Sequence, residues 1–182
     1  MTAQFGEKLR YKDKEVEMFT TPLDDYFATR GIDPGFKFTC TALWRGYIGQ
    51  WEVVDDHLYL VGIEATLADG SAASLATIFP DSPDRVFAHW YSGTIRVPQG
   101  EMLDYVHMGY RSTFERNLLI EVEQGIVVAT QVHDNEAALL AAAMVENDFD
   151  LLAELQDDDP ITSPTTAAQT SPPNPAEDDI PF

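Results

Sequence analysis

Four histidines, His57, His89, His107 and His133, and one cysteine, Cys40, are the side chains of this 182-residue sequence best suited to metal or nucleophilic chemistry. Their spacing supports neither. No pair of histidines frames the HExxH pattern, and a lone cysteine can form neither an intrachain disulfide nor a cysteine-based metal site. The glycines build no phosphate-binding loop and no nucleophile elbow. The densest polar cluster is His107, Tyr110, Arg111 and Glu115. A His beside a Glu can do acid–base work. The plainer reading is a histidine at a strand edge next to a surface ion pair. Trp44, Arg45 and Tyr47 offer two readings: a recognition patch of common anchor residues, or core aromatics with a cation–π contact, the reading preferred. No catalytic, cofactor-binding or metal-binding residue is assigned, no cofactor is expected, and the sequence leans away from an enzyme.

The elements that carry these residues read mainly as strands. Lys8 to Thr20 suggests a hairpin or two short strands, with a turn at Lys12-Asp13-Lys14. Thr20 to Gly31 looks like a capped helical turn, with Thr21 as cap, Pro22 in the first turn and Gly31 as terminator. Lys37 to Leu43 places Phe38, Cys40 and Ala42 on one face at period two. Ile48 to Val54 and His57 to Leu67 follow as strands around an Asp55-Asp56 turn, and Asp69-Gly70 signals another hairpin. Leu75 to Phe79 is expected to continue the sheet. Arg85 to Val97 reads as β, broken at Ser92-Gly93, with His89-Trp90-Tyr91 as sheet core. Met102 to Tyr110 fits helix or strand. Leu118 to Val122 and Ile126 to Val132 alternate cleanly around Gln124-Gly125, the clearest hairpin. From Asn135 the period becomes helical: Asn135 is the expected cap, and Leu139, Leu140, Ala143 and Met144 form an apolar stripe that can pack on the sheet.

Charge narrows the function classes. Eleven Lys and Arg stand against 31 Asp and Glu, a net charge of −20. All 11 basic residues lie at or before Arg116, whereas Asp134 to Phe182 holds 12 acidic residues and no basic one. The rest, 11 minus 19, carries −8. Such a surface disfavours direct nucleic-acid binding and anionic lipid. The start, MTAQFGEKLR, lacks the apolar run of a secretory signal, and no stretch approaches the roughly 20 apolar residues of a membrane helix. A reduced, cytoplasmic protein is the expectation.

From Gln156 the composition turns to Asp, Pro, Ser, Thr, Ala and Gln, too polar to offset the entropy of ordering. The last residues, EDDIPF, break that pattern. Phe182 combines a ring with an α-carboxylate, which an apolar pocket rimmed by Arg or Lys can hold together. Pro181 limits the entropy lost on binding, Ile180 adds an apolar contact, and Asp178 and Asp179 steer toward a basic rim.

This arrangement resembles the C-terminal tail of bacterial single-stranded-DNA-binding proteins, which ends in Asp-Asp-Asp-Ile-Pro-Phe after a disordered linker. Glu177 stands where the family has its first Asp; Asp178, Asp179, Ile180, Pro181 and Phe182 match in order. The resemblance implies that these five residues bind partner proteins of replication, repair and recombination, such as repair helicases, exonucleases and recombination mediators. It covers only the end of the chain. The body lacks the basic, aromatic-interleaved strands of a DNA-binding barrel. The phrases WRGYIGQWEV and YVHMGYRS resemble ones in uncharacterised bacterial proteins, a likeness that implies no activity.

The sequence thus predicts a mainly β barrel or sandwich of about seven to nine strands with one C-terminal helix over 1–147, a disordered acidic linker over 148–176 and a docking tip over 177–182. The expected function is a non-enzymatic adaptor that recruits or inhibits genome-maintenance proteins by mimicking that tail. The alternatives are an acidic DNA mimic or anti-defence inhibitor, and a small enzyme tethered to repair complexes by its tip.

Overall fold

A computed structural model describes residues 2–137. In chain order they form β1 (Glu7–Tyr11), β2 (Lys14–Met18), α1 (Pro22–Arg30), β3 (Tyr47–Val54), β4 (His57–Thr66), β5 (Ala72–Ala73), α2 (Leu75–Ile78), β6 (Val86–Phe87), β7 (Gly93–Asp104), β8 (Thr113–Glu123) and β9 (Ile126–Asp134). The chain is mainly β, as the alternation of its apolar residues predicts.

Three tight turns set the registers of the hairpins. Lys12-Asp13, Asp55-Asp56 and Gln124-Gly125 all adopt positive φ at both positions. That is the backbone a two-residue hairpin needs to match strand twist. At Gly125 (φ 83°) a side chain would also run into the Ala88 carbonyl. The strand order is β2-β1-β3-β4-β9-β8-β7, with β5 and β6 paired to β4 off this path. β1 runs parallel to β3, and every other pairing is antiparallel. The two ends of the path meet: the Phe19 amide donates to the Arg96 carbonyl at 2.8 Å, and the Arg96 amide to Thr20 Oγ1 at 3.0 Å. The sheet therefore curls round on itself as a barrel, joined by a ladder everywhere except at this seam and at the short β4–β9 contact, where His57 pairs with Ile126.

Alternation fills the interior. Leu9, Met18, Tyr47, Trp51, Leu58, Leu60, Ile95, Val97, Ile120 and Val122 are all buried. α1 adds Leu23 and Phe27, the latter edge-on to Tyr47 with ring centres 6.1 Å apart. Beside it, Tyr26, Phe79 and Trp90 pack ring to ring, and Trp90 Nε1 donates to the Pro22 carbonyl at 2.9 Å. The Gly31 terminator takes the expected left-handed conformation, with φ 63°. Thr21 occupies the cap position without a side-chain bond.

Four local expectations are corrected. Lys37 to Leu43 is not a strand: both edges of β3 are already taken, by β1 and β4, so Phe38 and Cys40 find no ladder and stay exposed. Leu75–Ile78 forms a helical turn, because Ser74 and Thr77 make a capping box. His89 and Trp90 lie in a turn rather than in the sheet, although Tyr91 is buried. Asp134, not Asn135, caps the helical turn that starts at 135–137: its Oδ1 accepts the Ala137 amide at 2.9 Å, while Asn135 Nδ2 bonds the Phe114 carbonyl. The apolar stripe from Leu139 to Met144, the linker and the tip lie outside the described residues. No helix among the described residues is long and apolar enough to cross a membrane.

Leu60 is fully buried, so Leu60→Ala should destabilise the fold by about 2–5 kcal/mol in a denaturant titration. Leu103→Ala, at a position 40% exposed, should stay within about 0.5 kcal/mol.

Candidate functional site

The parity that sends Leu9 into the core also sends Glu7 there, since residues two apart on a strand share a face. Glu7 is fully buried. An isolated carboxylate in such a place costs several kcal/mol, so it must find donors. Trp51 Nε1, from β3, donates to Glu7 Oε2. Arg45 Nε, from the segment before β3, donates to Oε1 at 3.2 Å. Between them Gly49 is required, because a Cβ there would overlap both the Glu7 carboxylate and the Trp51 indole nitrogen.

Arg45 extends the network outward. Its Nη1 donates to the Phe5 carbonyl at 3.0 Å and to the Tyr110 hydroxyl at 2.9 Å, and that hydroxyl donates to the same carbonyl at 2.9 Å. Its Nη2 is buried without a hydrogen-bond partner among the described residues. The guanidinium lies 5.3 Å from the centre of the Tyr47 ring, a cation–π contact. Tyr47 in turn donates to Asp24 Oδ1 at 2.7 Å, tying in α1.

Burial is the dominant influence on Glu7 and raises its carboxyl from 4.5 to about 7, against the opposing pull of Arg45 and the Trp51 hydrogen bond. Burial likewise pushes the Tyr110 hydroxyl up to about 12 and raises Tyr47 strongly. A carboxyl that titrates near neutrality is the usual requirement for a general base. Glu7, however, has both oxygens occupied and no exposed surface. The geometry fits an internal clamp that holds the N-terminal strand to the segment before β3.

The residues singled out in the sequence are redistributed. Tyr110 points into the Arg45 network and stacks on Phe19, with ring centres 4.8 Å apart. His107 instead meets the Tyr105 hydroxyl at 2.9 Å in an exposed segment. Arg111 is exposed, and Glu115 packs against Gly100. The four do not form one cluster. Arg45 and Tyr47 are brought together inside, whereas Trp44 is 74% exposed and leans on Phe38, with ring centres 5.7 Å apart. Among the described residues no three His, Cys, Asp or Glu side chains gather as a metal site would. Asp178, Asp179, Ile180, Pro181 and Phe182 lie outside the described residues. Sequence reasoning passed over Glu7, although its parity with Leu9 was available as a signal. Arg45 as its partner carries no such signal, because the two are 38 residues apart.

No family model, curated protein or solved structure matches this chain.

The raised carboxyl of Glu7 sets a pH dependence. Between about pH 4.5 and 7 the folded state keeps a proton that the unfolded state releases. Stability therefore falls as pH rises through that window and levels off above it. Glu7→Gln removes this titration. Wild type should lose up to roughly 3 kcal/mol relative to Glu7→Gln across the window, measured by denaturant unfolding at each pH. Parallel stability curves would contradict the assignment.

Proposed function

We propose that this protein is a non-enzymatic adaptor that docks onto bacterial replication, repair or recombination proteins through residues 177–182. The observation that carries the reading is the run Asp178-Asp179-Ile180-Pro181-Phe182. It places in one short peptide the aromatic ring and the steering acids that a basic-rimmed apolar pocket selects. Burying the Phe182 ring contributes roughly 2–3 kcal/mol. So small an anchor gives micromolar affinity, about −8 kcal/mol in all.

Charge segregation supports the same division of labour. Twelve acidic residues and no basic one fall between Asp134 and Phe182, so this segment attracts basic surfaces at long range. The body's strongly shifted carboxyl, Glu7, is enclosed and paired, which suits a scaffold better than a reaction centre. Recruitment and competitive inhibition both follow from one docking event. They differ in what else the body holds.

The experiment is a titration of the full chain against a receptor of the single-stranded-DNA-binding protein tail, such as a repair helicase or exonuclease. Salt-sensitive micromolar binding is expected, displaced by the natural tail peptide and weakened about tenfold or more by deletion of Phe182. Binding that survives the deletion would transfer the function to the acidic surface as a whole. No binding to several receptors would refute the adaptor reading.

A further inference from the structure

Sheet edges with free backbone groups recruit further strands unless something blunts them. Among the described residues the strands with an unpaired stretch of five residues or more are β2, β7 and β9. β2 carries Lys14, Glu15 and Glu17, and charges of this kind discourage pairing. β7 carries Pro98, Glu101 and Asp104, with register shifts between Gln99 and Met102 and between Met102 and Asp104. β5 and β6 have two residues each, too short to serve as templates.

β9 carries neither charge nor proline before Asp134. On the β4 side its bonds end where the Val127 amide donates to the Asp56 carbonyl at 2.7 Å. From Val128 to Asp134 it pairs, among the described residues, only with β8. Every residue of this stretch is exposed, Val128 by 50% and Val132 by 58%. The run IVVATQVH, Ile126 to His133, contains no Asp, Glu, Lys, Arg or Pro in a chain of net charge −20. A bulge at Val128, between the Val122–Val127 and Glu121–Ala129 pairs, marks the start of this stretch and leaves Ala129 to Asp134 in regular register.

We propose that β9 is a dimerisation edge that pairs antiparallel with β9 of a second copy. Three features select a second copy. The stretch is uncharged, so it is a place where two strongly acidic chains can approach closely. A two-fold pairing centred on Gln131 sets Asp134 opposite Val128 of the partner subunit and keeps the two carboxylates apart. The pairing also uses up the unprotected edge of each copy, so assembly stops at two and does not grow into a fibre. The dimer would carry two copies of the 177–182 tip, which raises avidity for receptors with more than one pocket. The edge pairing itself does not depend on the docking role of the tip.

Sedimentation equilibrium of the full chain tests this. The expected mass at high concentration is twice 20.3 kDa, with dimerisation strengthened by added salt as repulsion between acidic chains is screened. This is the opposite of the salt dependence of tip docking. Ala129→Lys combined with Gln131→Lys should weaken the dimer about tenfold or more while the chain stays folded. As a second route, Gln131→Cys in a Cys40→Ser background should yield a disulfide-linked dimer on mild oxidation, and Arg10→Cys in that background should not. Deleting residues 177–182 should leave the dimer intact, which separates this edge from the tip. A monomer at all concentrations and salts, a dimer indifferent to the two lysines, or no preference for the Gln131→Cys cross-link would overturn the proposal.

Discussion

A carboxyl group placed inside the barrel at Glu7 is the constraint on which the irregular parts of the structure depend. It is admitted only because donors arrive from separate stretches of chain: Trp51 on β3 and Arg45 just before it. Arg45 then secures Tyr110 and the Phe5 carbonyl. Together with the Ala3–Gly109 bridge and the Phe5 amide bond to the Ala42 carbonyl, this locks the loop before β3, the N-terminal segment and the segment from Tyr105 to Ser112 to one another. An all-apolar core could be as stable. The polar clamp adds a position that only one arrangement of these loops can satisfy.

Arg96 plays a parallel part at the barrel seam. Its side chain donates to Asn117 Oδ1 and to the carbonyls of Tyr110 and Ser112, at 2.7–3.0 Å, and covers the Phe19 ring. Its own amide and carbonyl join β7 to Thr20 and Phe19. One residue thus closes the sheet and anchors the adjoining loop. Tyr110, stacked on Phe19 and bonded to Arg45, links the two arginine clusters.

Much of this was legible in the sequence where local rules decide the outcome. The β8–β9 hairpin, the turns at Lys12-Asp13 and Asp55-Asp56, and α1 with its Gly31 terminator all follow from alternation and turn chemistry. Lys37 to Leu43 misleads because a period-two pattern makes a strand only if a neighbouring edge is free. Leu75 to Phe79 misleads because a Ser-Thr capping box outweighs four apolar residues. The Glu7–Arg45 pair is a tertiary fact, and only the inward parity of Glu7 announced it. The docking role proposed for residues 177–182 is the reverse case: it is argued from the residue types alone.

We propose a division of labour between a clamped barrel that holds its shape and a peptide, residues 177–182, that binds. Amide resonances of the full chain, followed during titration with a receptor of the single-stranded-DNA-binding protein tail, test it most directly. Shifts are expected at Asp178, Asp179, Ile180 and Phe182, with the amides of β1, β3 and the Arg45 segment unmoved. Shifts centred on the barrel, with those terminal residues unchanged, would contradict it.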